Sequence, residues 1–240
     1  MNAINTEKTV GDLVLERPAN SRVFEEYGID YCCGGKQSLS EACAKKGLSA
    51  DEVLHKLDEV DTAQLQEDPT DCTSMGLSDL VEHIVSTHHA FLLLELPRLQ
   101  KMSIKVAKVH GDRDDRLREL AGVVHTLAEE LTMHMMKEER VLFPVICQMT
   151  RSESMPDMHF GKLENPILAM EADHEIAGDA LKSMHTLTDG YTPPDWACNT
   201  YRALLDGLHD LELDLHQHIH KENNILFPKA LELENLRRTP

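Results

Sequence analysis

The sequence predicts an all-α protein, an antiparallel four-helix bundle preceded by a small helical domain. Three observations point there. Aromatic residues make up only 4% of the chain against 41% apolar residues overall, and Leu, Ala, Glu, Met and His dominate, a mixture that favours helix over sheet. Apolar positions recur at alternating spacings of three and four along four long stretches, the period of a helix with one buried face. Connections between those stretches are mostly short, which makes an antiparallel bundle the simplest packing.

The elements follow in order. Thr9 to Glu16 and Ala19 to Tyr27 read as short helices broken at Pro18, with Gly28 suited to a C-terminal cap. Asp30-Tyr31-Cys32-Cys33-Gly34-Gly35 is a compact turn presenting two adjacent thiols. Ser38 to Lys46 and Ser49 to Val60 complete a unit spanning residues 1–60, too small to be very stable alone. Residues 61–76, polar and interrupted by Pro69, form a linker to a domain at 77–240. Its first helix runs from Leu77 to His110 with a bend expected at Pro97, and its second from Asp114 to Met149. Arg151 to Asn165 is a loop; Pro166 sits at the start of a third helix that ends near Leu187. The fourth spans Asp195 to Leu236.

An internal repeat organises that domain. His134-Met135-Met136-Lys137-Glu138-Glu139-Arg140-Val141-Leu142-Phe143-Pro144 returns as His218-Ile219-His220-Lys221-Glu222-Asn223-Asn224-Ile225-Leu226-Phe227-Pro228, giving H-x-x-K-E-x-x-x-L-F-P twice. In each copy a histidine and a glutamate stand four apart, neighbours on one helix face. The second helix carries Leu117, Leu120, Val124, Leu127, Leu131, His134, Glu138, Val141 and Val145 in phase. The fourth carries Ala197, Tyr201, Leu204, Leu208, Leu211, Leu215, His218, Glu222 and Ile225. His174 falls in phase with Ile167, Met170, Ala177, Leu181 and Met184, and His88 with Leu77, Val81, Ile84 and Phe91. Each long helix thus places one histidine on its apolar seam. His88, rather than its neighbour His89, is the expected member on helical phase, and His220 is expected to project off the seam.

Four imidazoles and two carboxylates aimed into an apolar bundle cost several kcal/mol unless compensated, and a metal compensates them. Iron is the natural choice for a His/Glu set without thiolates; zinc and manganese remain open. Six ligands exceed one tetrahedral zinc and suit two non-haem iron ions with an oxygen bridge. The expected bridges are Glu138 and Glu222; the expected terminal ligands are His88, His134, His174 and His218. Glu130 and Asp214, each four residues before a ligand histidine, are either solvated acids or carboxylates that orient the imidazoles.

Net charge of −18 argues against nucleic acid and anionic membrane surfaces as partners. No stretch is long and apolar enough for a transmembrane helix, and the N-terminus lacks the apolar core of a secretory signal, so a cytoplasmic location is expected. The six cysteines show no zinc-finger spacing and are expected as free thiols.

D-Y-C-C-G-G at residues 30–35, the two H-x-x-K-E-x-x-x-L-F-P copies and Glu171-Ala172-Asp173-His174 together resemble the di-iron iron–sulfur cluster repair proteins, whose C-terminal part is hemerythrin-like. The resemblance covers nearly the whole chain, and the family's four-histidine, two-glutamate set maps onto the six positions above. It implies a stress protein that restores iron–sulfur clusters damaged by nitric oxide or peroxide. Proteins with damaged clusters are its expected partners, nitric oxide or oxygen its small ligand, with a homodimer left open. Cys32 and Cys33 are then candidates for iron or nitrosyl transfer. Three functions stay open at this stage: an iron donor, a nitric oxide or peroxide reductase, and a nitric oxide or oxygen sensor or scavenger.

Overall fold

A computed structural model describes residues 6–59, 72–152 and 155–238. It is all-α, with no strand among the described residues and a single isolated bridge between Thr9 and Ser38. The chain divides into two compact units, residues 1–76 together with 219–229, and residues 77–218 together with 230–240. One division falls between residues 76 and 77, and part of the last helix groups with the N-terminal residues. Residues 61–71 of the expected linker lie outside the described residues.

In the first unit, α1 (Val10–Glu16), α2 (Asn20–Glu26), α3 (Leu39–Lys46) and α4 (Ala50–Glu59) fall where sequence signals place them. Thr9 caps α1 by accepting from the Asp12 amide, at 3.1 Å. Ser38 and Glu41 form a reciprocal capping box on α3, which ends on Gly47 at φ 68°, a left-handed cap that glycine adopts without steric cost. Val10, Leu13, Phe24, Tyr31, Leu39, Val53 and Leu57 close a small core.

The second unit holds the bundle. Its first long helix runs α5 (Leu77–Ile84), a π-helical turn at Val85–His89, then α6 (Ala90–His110), and it stays helical through Pro97. The second comprises α7 (Arg116–Lys137), a π turn at Glu138–Leu142 and α8 (Phe143–Arg151). The third, α9 (Glu164–Leu187), has no such turn. The fourth is α10 (Asn199–Lys221), a π turn at Glu222–Leu226 and α11 (Phe227–Arg238). Leucines from α6, α7 and α10, with Ala177, Leu181 and Met184 of α9, fill the core.

The π turns correct the sequence reading. A π turn holds one residue more than an α turn, so every residue beyond it is displaced by one position relative to a 3.6 period. Val141 and Val145 were expected on the seam; Val141 is 45% exposed, and Leu142, Ile146 and Met149 are buried instead. In the first helix the buried row after the turn is Leu92, Leu96 and Leu99, not the Phe91 register. α9 keeps one register throughout, with Ile167, Met170, His174, Ala177, Leu181 and Met184 all buried as expected, and the seam expected on the fourth helix from Tyr201 to Ile225 is buried as well. A sequence cue exists for two of the three turns. Pro144 and Pro228 lack the N–H that an α turn would require there and crowd the carbonyl four residues back, which favours widening the preceding turn. The turn at Val85–His89 has no such marker.

Candidate metal centre

Two groups of ligand atoms converge in the buried seam. His89, Glu138, His218 and Glu222 form one; His134, Glu138, His174 and Glu222 form the other, each with all its ligand atoms within 4.8 Å of one another. Both glutamates belong to both groups. That is the arrangement of two cation positions sharing two carboxylates, with a pair of imidazoles on each side.

Local geometry supports each half. Oε2 of Glu138 lies 3.3 Å from Nε2 of His89 and 3.3 Å from Nε2 of His134. Nε2 of His134 stands 3.1 Å from Nε2 of His174. Glu138 is fully buried, and neither of its carboxylate oxygens makes a hydrogen bond. A buried carboxylate without hydrogen bonds is strongly destabilising, and a cation between it and the surrounding imidazoles removes that cost. The donor set therefore fits a metal pair.

Carboxylates behind the imidazoles fix their orientation. Nδ1 of His89 pairs with Oε1 of Glu139 at 2.7 Å, and Nδ1 of His134 with Oδ2 of Asp173 at 3.3 Å. A proton held on Nδ1 leaves the Nε2 lone pair aimed at the centre. Burial tends to raise the Asp173 carboxyl, but hydrogen bonds from Lys137 and His134 outweigh it and hold the group below the usual carboxylate range. Neither Glu139 nor Asp173 was singled out from the sequence. Each flanks a ligand by one residue, and that adjacency is the only cue either offers.

The sequence-selected residues separate accordingly. His134, Glu138, His174, His218 and Glu222 come together; His88 does not join them, and His89 takes its place. The extra residue of the π turn at Val85–His89 rotates His89 onto the seam. His88 is buried beside it, stacked on His218 with ring centroids 5.3 Å apart, and bonded through Nδ1 to Asp214 at 2.8 Å. Asp214 is thus tied to the ring packed on a ligand, whereas Glu130 is exposed. His220, expected to point away, does leave the seam but is buried against Tyr31, ring centroids 5.4 Å apart, and burial lowers its imidazole to about 4.

Cys32 and Cys33 lie in the first unit. Asp30 Oδ1 accepts from the amides of Cys32, Cys33 and Gly34 at 3.1, 2.9 and 3.0 Å, folding the loop around one carboxylate. A Cβ on Gly34 would meet the Asp30 carbonyl at 2.8 Å, and one on Gly35 the Tyr31 carbonyl at 2.7 Å, so the paired glycines are required by this fold-back. Asn224 donates from Nδ2 to the carbonyls of Tyr31 and Cys32 at 3.4 and 3.3 Å.

Comparison with known proteins finds two matching domains. The hemerythrin HHE cation binding domain matches residues 80–230, and the ScdA N-terminal domain, a domain of unknown function, matches residues 6–61. An iron-sulfur cluster repair protein YtfE from Enterobacter sp. (strain 638) is 40% identical over 94% of this chain and 97% of its own length. Proteins of the same name from Pectobacterium atrosepticum and Escherichia coli O81 are each 39% identical, over 95% and 94% of this chain and 98% and 97% of their own.

Proposed function

The chain belongs to the hemerythrin-domain iron–sulfur cluster repair family, and we propose that it restores damaged iron–sulfur clusters with iron released from its own bundle. The observation that carries this reading is the pair of ligand groups sharing Glu138 and Glu222. Iron is here the cargo, held as a pair by His89, His134, His174, His218 and the two glutamates. Imidazole and carboxylate ligands bind ferrous iron without the thiolates that would retain it most firmly, which suits a store that must release it. When bound, iron also supplies redox chemistry toward nitric oxide or peroxide.

The chain's own residues set how that cargo is held. Glu139 and Asp173 fix two imidazoles with Nε2 toward the centre, where the four imidazoles and both glutamates are buried. Cys32 and Cys33 take part in iron or nitrosyl transfer; a gas sensor or scavenger would need only the bundle, so the thiol loop favours donation. Damage by nitric oxide or peroxide is the setting in which such repair is needed. No helix among the described residues is long and apolar enough to cross a membrane, and we place the protein in the cytoplasm, where its clients reside.

The test is to follow the iron. Freshly purified protein should contain two irons per chain, which move to added apo-aconitase and restore its activity. Irons that stay in place while nitric oxide is consumed would instead make the protein a di-iron reductase. Absence of iron, or tightly held zinc, would sink the assignment.

A further inference from the structure

The thiol loop has the geometry of a metal site in its own right. Sγ of Cys32 and Sγ of Cys33 are 3.9 Å apart, and Sγ of Cys32 lies 3.3 Å from Oδ1 of Asp30. A tetrahedral cation with metal–sulfur bonds of about 2.3 Å holds its two sulfurs about 3.8 Å apart, and a sulfur and a carboxylate oxygen about 3.6 Å apart. The observed separations fall within about 0.3 Å of both. Far from the 2.0 Å or so of a disulfide, the two sulfurs already stand as edges of a metal tetrahedron.

We propose that Asp30, Cys32 and Cys33 form a second, three-ligand site for a thiophilic divalent transition-metal ion, of the ferrous or zinc kind. The three ligand atoms lie within 4.8 Å of one another, so one cation reaches all of them. On binding, two thiol protons leave to solvent, and the cation takes two thiolates and one carboxylate. In the metal-free loop the hydrogen bond to Cys33, then burial, push the Cys32 thiol well above its ordinary range.

The site is preorganised from behind. Three amides fix the Asp30 carboxylate. The carbonyl of Cys32 is held by Asn224 at 3.3 Å, and by Asn223 at 3.5 Å. A Cβ on Gly35 would meet Asn224 Oδ1 at 2.6 Å, so this clamp is close-fitting. In front the site is open, since Asp30 is exposed and Cys33 partly so. Three protein ligands leave the fourth tetrahedral position to an outside group, the arrangement of sites that exchange rather than store. A client thiolate or sulfide is the chemistry that would enter there. Use of the site in iron delivery rests on the donor reading above; the coordination itself rests only on the loop.

Cobalt(II) distinguishes the two. The full-length protein, its bundle loaded with iron, is titrated anaerobically with Co2+ while near-ultraviolet absorption is followed. Thiolate-to-cobalt charge transfer arises only from sulfur ligands, so cobalt entering the His/Glu bundle is silent in that band. Wild type should gain the band with one cobalt per chain. Cys33→Ser, at a partly exposed position, should lose most of its intensity with bundle iron unchanged. Asp30→Asn keeps an oxygen to accept the loop amides but removes the charge, and should weaken binding by at least about 10-fold, the lower bound for supporting residues at metal sites. No band in wild type, or an undiminished band in Cys33→Ser, would overturn the proposal. Failure of iron donation to a client would leave the band as it is.

Discussion

The two copies of H-x-x-K-E-x-x-x-L-F-P differ most just after the shared glutamate. Both open a π turn on a fully buried glutamate, Glu138 in one and Glu222 in the other. The first copy continues Glu139-Arg140, the second Asn223-Asn224. Glu139 turns to Nδ1 of His89 at 2.7 Å and serves the metal centre. Asn223 and Asn224 turn to the carbonyls of the thiol loop. A neutral amide suits that task, because its N–H donates to a carbonyl that a carboxylate could only repel. The repeat has kept its ligand and divided its flank, one side orienting an imidazole, the other holding a loop.

Burial follows the same division. Val141 of the first copy is 45% exposed, whereas its counterpart Ile225 is 6% exposed. Residues 219–229 group with the N-terminal unit, whereas the whole first copy belongs to the other unit.

The comparison is broken most severely at what the copies share. Glu138→Ala and Glu222→Ala should each reduce bound metal from two per chain to less than one, an affinity loss above the roughly 100-fold typical of supporting residues. Metal analysis with circular dichroism as a fold control reads this, and retention of both metals in either variant would refute the bridging assignment. Next comes the correction in the first helix. His89→Ala should lose metal from one half of the centre, while His88→Ala, which removes only a stacked ring and the Asp214 pair, should keep both metals; the opposite order would restore His88 as the ligand.

The divergent flanks give a milder and more selective test. Glu139→Ala should weaken metal binding by about 10–100-fold and leave the thiol loop alone. Asn224→Asp should do the reverse, freeing the loop by about 1–3 kcal/mol through lost donors to two carbonyls, read as faster alkylation of Cys33 at unchanged metal content. Equal effects of both variants on both readouts would erase the distinction drawn here. Smallest is the packing difference: Ile225→Ala should destabilise by about 2–5 kcal/mol, whereas Val141→Ala should fall within about 0.5 kcal/mol, measured by denaturant unfolding.

Much of this was legible along the chain. Helix starts at Thr9 and Ser38, the glycine stops at 28 and 47, and four apolar seams follow from capping chemistry and the helical period, which act locally. Five of the six residues expected at the metal centre fall in the two ligand groups for the same reason. Histidine and glutamate four apart share a face whatever the rest of the fold does, and His174 sits on a helix that keeps a single register.

What the sequence could not determine is where register breaks. A π turn is stabilised by what it brings together, so that His89 rather than His88 faces Glu138, and Leu142 rather than Val141 is buried, depends on packing around buried carboxylates. The partners of the ligands were equally hidden: Glu139 and Asp173 lie 50 and 39 residues from the imidazoles they hold. The repeat itself announced two equivalent flanks. Only tertiary structure gave them different neighbours, because a side chain's hydrogen-bond partner is fixed by where the chain returns in space and not by its place in a motif.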